Sequence, residues 1–459
     1  MQKGRTVARA GACTLLTLVC GSAAMADDLA YELAAGAGHS DNITRVAADE
    51  VDETIARAGA KFSFGQTGTR VQTDLVGDLA YYDYLDDTYD SEVLGNFIGS
   101  AHLGIVPQRF EWAITDNFGQ VLNSPFEPAT PETRENINYF TTGPDVLFAF
   151  GSQNRLRFGA RYANTTYEDS PLDSDGYSAD LGFIHQLSAA SSLSVNARGQ
   201  QVEYDDLLDA DYDQTDAFLR YALSGARTHV DLDLGYSQLD RDAADKEDGV
   251  LARLNASRRV SAASTASLTA GHEFQNSVGA FSSTQSGGAG GNLSTVPGRQ
   301  TAQPFMSDYV TLGWLYSRVR TNFSLNASLN KQSYDGAPEL DQTITLFSGQ
   351  ITRALSPRAN LTLQAAYSEG DFDQPDSDYV DMNAGLNFSM RLSTAVTLNM
   401  TYDYFDRNGD GLARDYDENR YWISITYGRG TPRSTPLTPP FGVDAAMNAT
   451  PPVNDPAGS

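Results

Sequence analysis

Charged residues recur at alternate positions in stretches whose other positions are apolar: Asp74, Asp78, Glu111, Arg157, Arg161, Arg198, Arg220, Asp231, Asp233, Arg253 and Asp381. Asn, Ser, Thr and Gln fill most other places in the same alternate set. Burying so many ionisable groups in a dry interior costs several kcal/mol each unless they are paired. The pattern therefore points to a hydrated interior lined by these eleven residues. A second constellation lies at 406–418, DRNGDGLARDYDE, which fits D-x-[DN]-x-[DN]-G through Asp406, Asn408, Asp410 and Gly411, with Asp417 in the closing position. Hard oxygen donors at that spacing suit Ca²⁺. The flanks read as strands rather than helices and Asp stands where an EF-hand has Glu, so a solvated Asn-Gly and Asp-Gly turn is the competing reading. Acids such as Asp205, Asp206, Asp209, Asp211 and Asp213 suit diffuse binding of divalent ions that bridge to anionic lipopolysaccharide. Acid–base chemistry finds little support. Of the five histidines only His39 and His272 fall near the expected outer rim, beside Ser40-Asp41 and Glu273. Adjacent strand residues point to opposite faces, which breaks a Ser-His pair read from HSD. The chain is expected not to be an enzyme.

The elements that must position these residues follow from the same alternation. In NFSLNASLN at 322–330, Phe323, Leu325, Ala327 and Leu329 alternate with Asn and Ser. The pattern recurs in Leu361/Leu363/Ala365/Tyr367, in Val380 through Met390, in Val396 through Tyr404 and in Leu156 through Tyr162. It places one face in an apolar medium and the other in water. Twenty such segments are expected, near 29–39, 53–64, 70–84, 92–105, 109–116, 135–150, 154–167, 176–187, 192–204, 213–225, 229–240, 249–257, 264–275, 306–318, 321–334, 341–355, 359–371, 379–391, 395–405 and 419–428. They are longer than the ~5–6 residues of soluble strands and suit a tilted bilayer crossing. No stretch after residue 26 approaches the ~20 apolar residues of a spanning helix.

Connections alternate between two classes. The short ones carry ten arginines and no acid, whereas the long ones hold 45 of the 59 acids and only seven bases. Such segregation follows when all long loops lie on one side of a membrane. Tyr81, Trp112, Tyr162, Tyr236, Trp314, Tyr316, Tyr367, Tyr402, Tyr404, Tyr421 and Tyr427 fall in the apolar set near strand ends, as interfacial girdles do. The fold class is therefore all-β: a transmembrane, antiparallel, up-and-down barrel of about 20 strands. Twenty strands enclose more than side chains can fill, since 16–18 already leave a channel. Two loops are candidates to narrow it. One is the Gly/Ser-rich 275–305, a lumen plug or else a flexible external loop; the other is 116–135, stiffened by Pro125, Pro128 and Pro131.

A net charge of -27 argues against nucleic acid as a partner, because phosphate contacts need cations. Residues 1–26 read as a secretory leader, with Lys3, Arg5 and Arg9, an apolar run and Ala24-Met25-Ala26 before the cleavage point. Both cysteines, Cys13 and Cys20, lie in it, so the barrel at 27–428 has no disulfide to lean on. The final stretch 429–459 is Pro-rich and is expected to be a disordered periplasmic tail.

The opening AAGAGHSDNITR, the stretch DNFGQVLNSPFEPATPETRENINYFTTGPDVLFAFGSQNRLRFGARYANTTYED and the closing YDYFDRNGDGLARDYDENRYWISITYG resemble outer-membrane β-barrel proteins of the β-barrel porin type. Some members of that group accompany exopolysaccharide and PEP-CTERM export systems of Gram-negative bacteria. The resemblance implies an outer-membrane location, a pore for polar solutes and a link to surface-polysaccharide export components. RYWISITYG also resembles the aromatic-ended signal read by the barrel-assembly machinery, although 31 residues follow Gly428. A closed barrel serving as a surface anchor, with acidic adhesive loops, is the alternative function. The resemblance transfers no site residues.

Overall fold

The computed structural model describes residues 28–68, 70–242, 245–286 and 300–433. The expected leader and the tail beyond 433 lie outside the described residues. The chain forms β1 (Asp28–Ser40), β2 (Glu53–Thr67), β3 (Val71–Tyr84), β4 (Glu92–Val106), β5 (Phe110–Leu122), β6 (Arg134–Phe150) and β7 (Asn154–Tyr167). Next come β8 (Ser174–Ser188), β9 (Ser191–Tyr204), β10 (Tyr212–Ser224), β11 (Thr228–Arg241), β12 (Glu247–Ser261) and β13 (Ser264–Gln275). A helix, α1 (Ser277–Ser286), precedes β14 (Phe305–Arg318), β15 (Thr321–Ser333), β16 (Gln342–Ser356) and β17 (Ala359–Phe372). The last three strands are β18 (Tyr379–Arg391), β19 (Val396–Gly409) and β20 (Tyr416–Arg429).

Each strand pairs antiparallel with its sequence neighbours, and β20 pairs with β1. The sheet is therefore a closed, up-and-down barrel of twenty strands. Among the described residues no helix is long and apolar enough to cross a membrane. The pairing register carries a single inside–outside parity around the whole ring. On the outside, Leu234, Leu312, Trp314, Phe347, Ile423 and Ile425 are all about half exposed. Large apolar side chains left uncovered on this scale are unfavourable in water and favourable against hydrocarbon. The outward set is not uniformly bare. Between β2 and β5, Phe64, Leu75, Phe97 and Ala101 bury one another, with Phe62, Ile114 and Phe118 packed alongside.

Strand bounds depart from the sequence reading most at β12, which runs to Ser261 at the short-turn end rather than 257, and at two places beside long loops. β5 continues to Leu122 rather than ending near 116, and β19 continues to Gly409 rather than 405. Both extensions lie at the long-loop end, where strands outrun the apolar belt and the outer face becomes polar. Asp116, expected at the boundary of strand and loop, lies within the strand in the outward set, fully buried opposite Gly99 and Phe140. The long connections shrink accordingly, to 123–133 between β5 and β6 and to 410–415 between β19 and β20.

The packed core lies inside the barrel at the long-loop end. Val121, Ile137, Tyr167, Val202, Tyr204, Tyr212, Leu239 and Phe274 enclose Phe281 of α1. Asn276 starts that helix by accepting the Gly279 amide at 2.7 Å, while its own amide donates to Tyr212 Oη at 2.7 Å. At the opposite end the chain leaves β20 through Gly430, whose φ of +76° only glycine adopts without strain. That turn brings Arg433 back to Asp74 at 2.8 Å, so the start of the expected tail is tied to the barrel.

Candidate functional site

The inward face encloses a cavity of about 1750 Å³. All eleven charged residues read from the sequence fall on this face by register. Most are engaged in ion pairs. On β6 and β7, Asp145 accepts from Arg157 at 2.9 Å and also from Arg161; Asp180 stands 3.6 Å from Arg157. Glu111 faces Asp145 across the β5–β6 pair. On β10 to β13, Arg220 clasps Asp233 with two bonds of 2.6 Å, and Arg253 spans Asp233 at 2.9 Å and Glu273 at 3.3 Å. Arg198 donates to Gln200 at 2.7 Å, and Asp231 meets His229 at 2.8 Å. Asp78 is held by Lys61 at 3.0 Å, and Asp381 receives two bonds from Arg407, at 2.6 and 2.7 Å. Several of these pairs are almost fully buried in the wall, as Arg157–Asp180 and Arg220–Asp233 are, so those charges are neutralised where water is scarce.

The wall is divided. The inward sets of β6 to β13 carry most of these pairs. Those of β15 to β17 present Ser324, Asn326, Ser328, Asn330, Gln350 and Gln364, with no charged group facing the cavity. Amide and hydroxyl groups there can exchange hydrogen bonds with a polar solute without fixing its charge.

Two segments enter the long-loop mouth. The 123–133 connection reaches across to the far strands. Arg45 donates to the Ala129 carbonyl at 3.0 Å and Arg407 to the Phe126 carbonyl at 3.2 Å. The Phe126 ring meets Phe372 edge to face at 4.9 Å, in a cluster with Tyr379 and Ala413. This strap and the seated helix α1 narrow the opening from two sides. The Gly/Ser-rich 275–305 therefore begins as a packed inward helix, and its residues 287–299 lie outside the described residues.

Asp406, Asn408, Asp410 and Asp417 occupy places that strand pairing dictates. Asp406 and Asp417 face each other across β19 and β20 in the outward set, and Asn408 pairs with Val380 on β18. Asp410 begins the short turn, its amide donating to the Asp378 carbonyl at 2.9 Å. Among the described residues no group of three or more His, Cys, Asp or Glu is placed to hold a metal ion. His39 and Ser40 lie on opposite faces, Ser40 inside and donating to Glu418 at 2.6 Å. His272 points outward to Asp308 at 2.6 Å.

Sequence reasoning missed Arg45, Arg57, Arg407, Glu418, Arg420 and Trp422, all on the inner face or folded into it. For Arg407 and Glu418 the signal was hidden because 403–418 reads as a loop. For Arg57, Arg420 and Trp422 the alternation itself marks the inward set.

No known protein family and no curated protein matches the chain. Among solved structures, a mutant ferric enterobactin receptor of Pseudomonas aeruginosa is 9% identical, with a TM-score of 0.46 over 88% of this chain and 80% of that one. OccK2 (OpdF) of Pseudomonas aeruginosa is 11% identical, with a TM-score of 0.37 over 88% of this chain and 99% of that one. The siderophore receptor PirA of Acinetobacter baumannii is 10% identical, with a TM-score of 0.44 over 87% and 80%.

Proposed function

We propose that the chain is an outer-membrane barrel whose lumen passes polar solutes. One observation carries the reading: a closed ring of strands with bare apolar side chains outside and a charged, amide-lined cavity inside. Hydrocarbon covers the first surface and water fills the second. The long acidic loops then face outward toward lipopolysaccharide, and the arginine-bearing turns face the periplasm, where the assembly machinery delivers the chain. Surface-polysaccharide export is the setting implied by the sequence resemblance, and the uncharged wall of β15 to β17 supports passage of a hydroxylated chain.

A second reading is a closed barrel that anchors acidic loops at the surface. The strap and α1 favour it, because both obstruct the mouth. Single-channel recording on purified protein in planar bilayers separates the two. Stable, uniform conductance steps are expected for a passage, and their absence at all voltages, with the barrel folded, leaves only the anchor.

A further inference from the structure

Seven arginines but four carboxylates reach the cavity surface, in a chain whose net charge is -27. The acids that balance several of these arginines stand behind them. Four neighbouring strands turn this arrangement into a recess. β1 offers only Ala34, Gly36 and Gly38 to the inside over this stretch, so it forms a floor with almost no side chain. β20 borders the floor with Arg420 and Trp422, and β2 and β3 border it with Arg57 and Tyr82. The indole lies against Gly38, where a Cβ would come within 2.5 Å of the ring. Tyr82 meets Trp422 edge to face at 6.3 Å, and the Arg57 guanidinium stands 5.4 Å from the Tyr82 ring.

The two arginines are held differently. Arg420 donates from Nε and one Nη to Glu418 Oε1, at 2.9 and 2.5 Å. Glu418 is fully buried and also binds Arg45 at 2.9 Å, so one carboxylate serves two guanidinium groups. Arg57 is loosely engaged. Its ion pair with Asp78 spans 3.9 Å, Asp78 already has Lys61 at 3.0 Å, and the buried Arg57 Nε has no hydrogen-bond partner. The Arg57 side chain remains 31% exposed, enough to meet a solute. Asp403, opposite Arg420 in register, also reaches the cavity. Counting Arg45, Arg57, Lys61 and Arg420 against Asp78, Asp403 and Glu418 leaves the recess with an excess positive charge.

We infer that this recess binds the carboxylate or phosphate group of a small ring-bearing solute. Arg57 and Arg420 take the charge through planar, paired donors. Trp422 and Tyr82 take the body of the solute by ring contact. The inference names a solute class for the passage proposed above and rests on that reading for its purpose, while its geometry stands without it.

The test uses the full chain in detergent, titrated by calorimetry with benzoate, phenyl phosphate and the neutral benzyl alcohol. Saturable binding of at least one of the two anions is expected, with none for benzyl alcohol. Arg57→Gln and Arg420→Gln should each weaken it at least tenfold, while Trp422→Phe, which keeps a ring, should cost less. Arg57→Gln is the cleaner variant because Arg57 holds no buried partner in place. Failure of both anions to bind, equal binding of benzyl alcohol, or unchanged affinity in Arg57→Gln overturns the inference. Bilayer recordings keep the two ideas apart: binding without conductance sinks the passage and leaves the recess, and conductance without binding does the reverse.

Discussion

At the scale of single residues, what matters is which charges are shared. Asp233 is almost fully buried between Arg220 and Arg253, so it neutralises two guanidinium groups at once. Asp233→Asn keeps the shape and removes the charge that both cations share, while Arg253 keeps Glu273 at 3.3 Å, and a loss of about 3–5 kcal/mol in unfolding free energy is expected. Lys246→Ala removes an exposed pair with Asp240 and should change stability by no more than about 0.5 kcal/mol. Urea titration of both variants in detergent measures the contrast. Asp173, in the connection between β7 and β8, is raised above the ordinary carboxylate range. Burial is the main cause; the carboxylates of Asp205, Asp206 and Glu135 add to it, against the Tyr167 amide, which donates to Asp173 at 2.6 Å. A raised carboxylate favours the folded loop below about pH 4, the range of a free aspartate, and that contribution is lost as pH rises through the higher folded value. Proteolysis of 168–173 should therefore be faster at neutral than at acid pH, and Asp173→Asn should shrink the difference.

At the scale of elements, strands are defined by their two solvents and loops by what they reach. Leu312 lies halfway along β14, outward and 54% exposed, next to Ala327 of β15 in register. Leu312→Arg should cost about 2–4 kcal/mol of folding free energy in lipid vesicles, while Asn326→Arg on the inner face of β15 should cost about 1 kcal/mol or less. Equal costs would mean that hydrocarbon does not cover the outer face. The 123–133 strap depends on one ring and two carbonyls. Phe126→Ala removes the contact with Phe372 and Tyr379, and should raise single-channel conductance and open the segment to protease without altering strand content. Unchanged conductance would show that the strap does not set the narrowest point. Short extensions such as 117–122 and 406–409 were illegible because Asp116, Gln120, Asp406 and Asn408 put polar residues in the outward set where strands rise beyond the apolar belt. The helix at 277–286 was hidden for a different reason: SVGAFSSTQS has one large apolar residue, Phe281, and takes its shape from the wall against which that ring is buried.

For the whole molecule, the count of twenty strands was legible because two independent signals agree: period-two alternation and the parity of arginine-rich turns against acidic loops. Neither signal reports distance across the lumen. The reach of Arg45 to Ala129 and of Arg407 to Phe126 joins residues far apart in sequence, and the pairing of Glu418 with Arg45 exists only because the first and last strands meet. That meeting is tight. A Cβ on Gly36 would lie 2.4 Å from the Ile423 carbonyl oxygen and 2.6 Å from the Ser424 Cβ, so Gly36→Val should hinder closure. A smaller share of the heat-modifiable, compact species on electrophoresis is the expected outcome, with Ala34→Val as the milder control. Among the described residues, a ring completed in this way presents no strand whose amide and carbonyl groups lack a partner strand over the shared span. Copies crowded side by side therefore find, on these rings, no strand edge on which to extend one another's ladders into fibrils; they meet as cylinders, side chain against side chain.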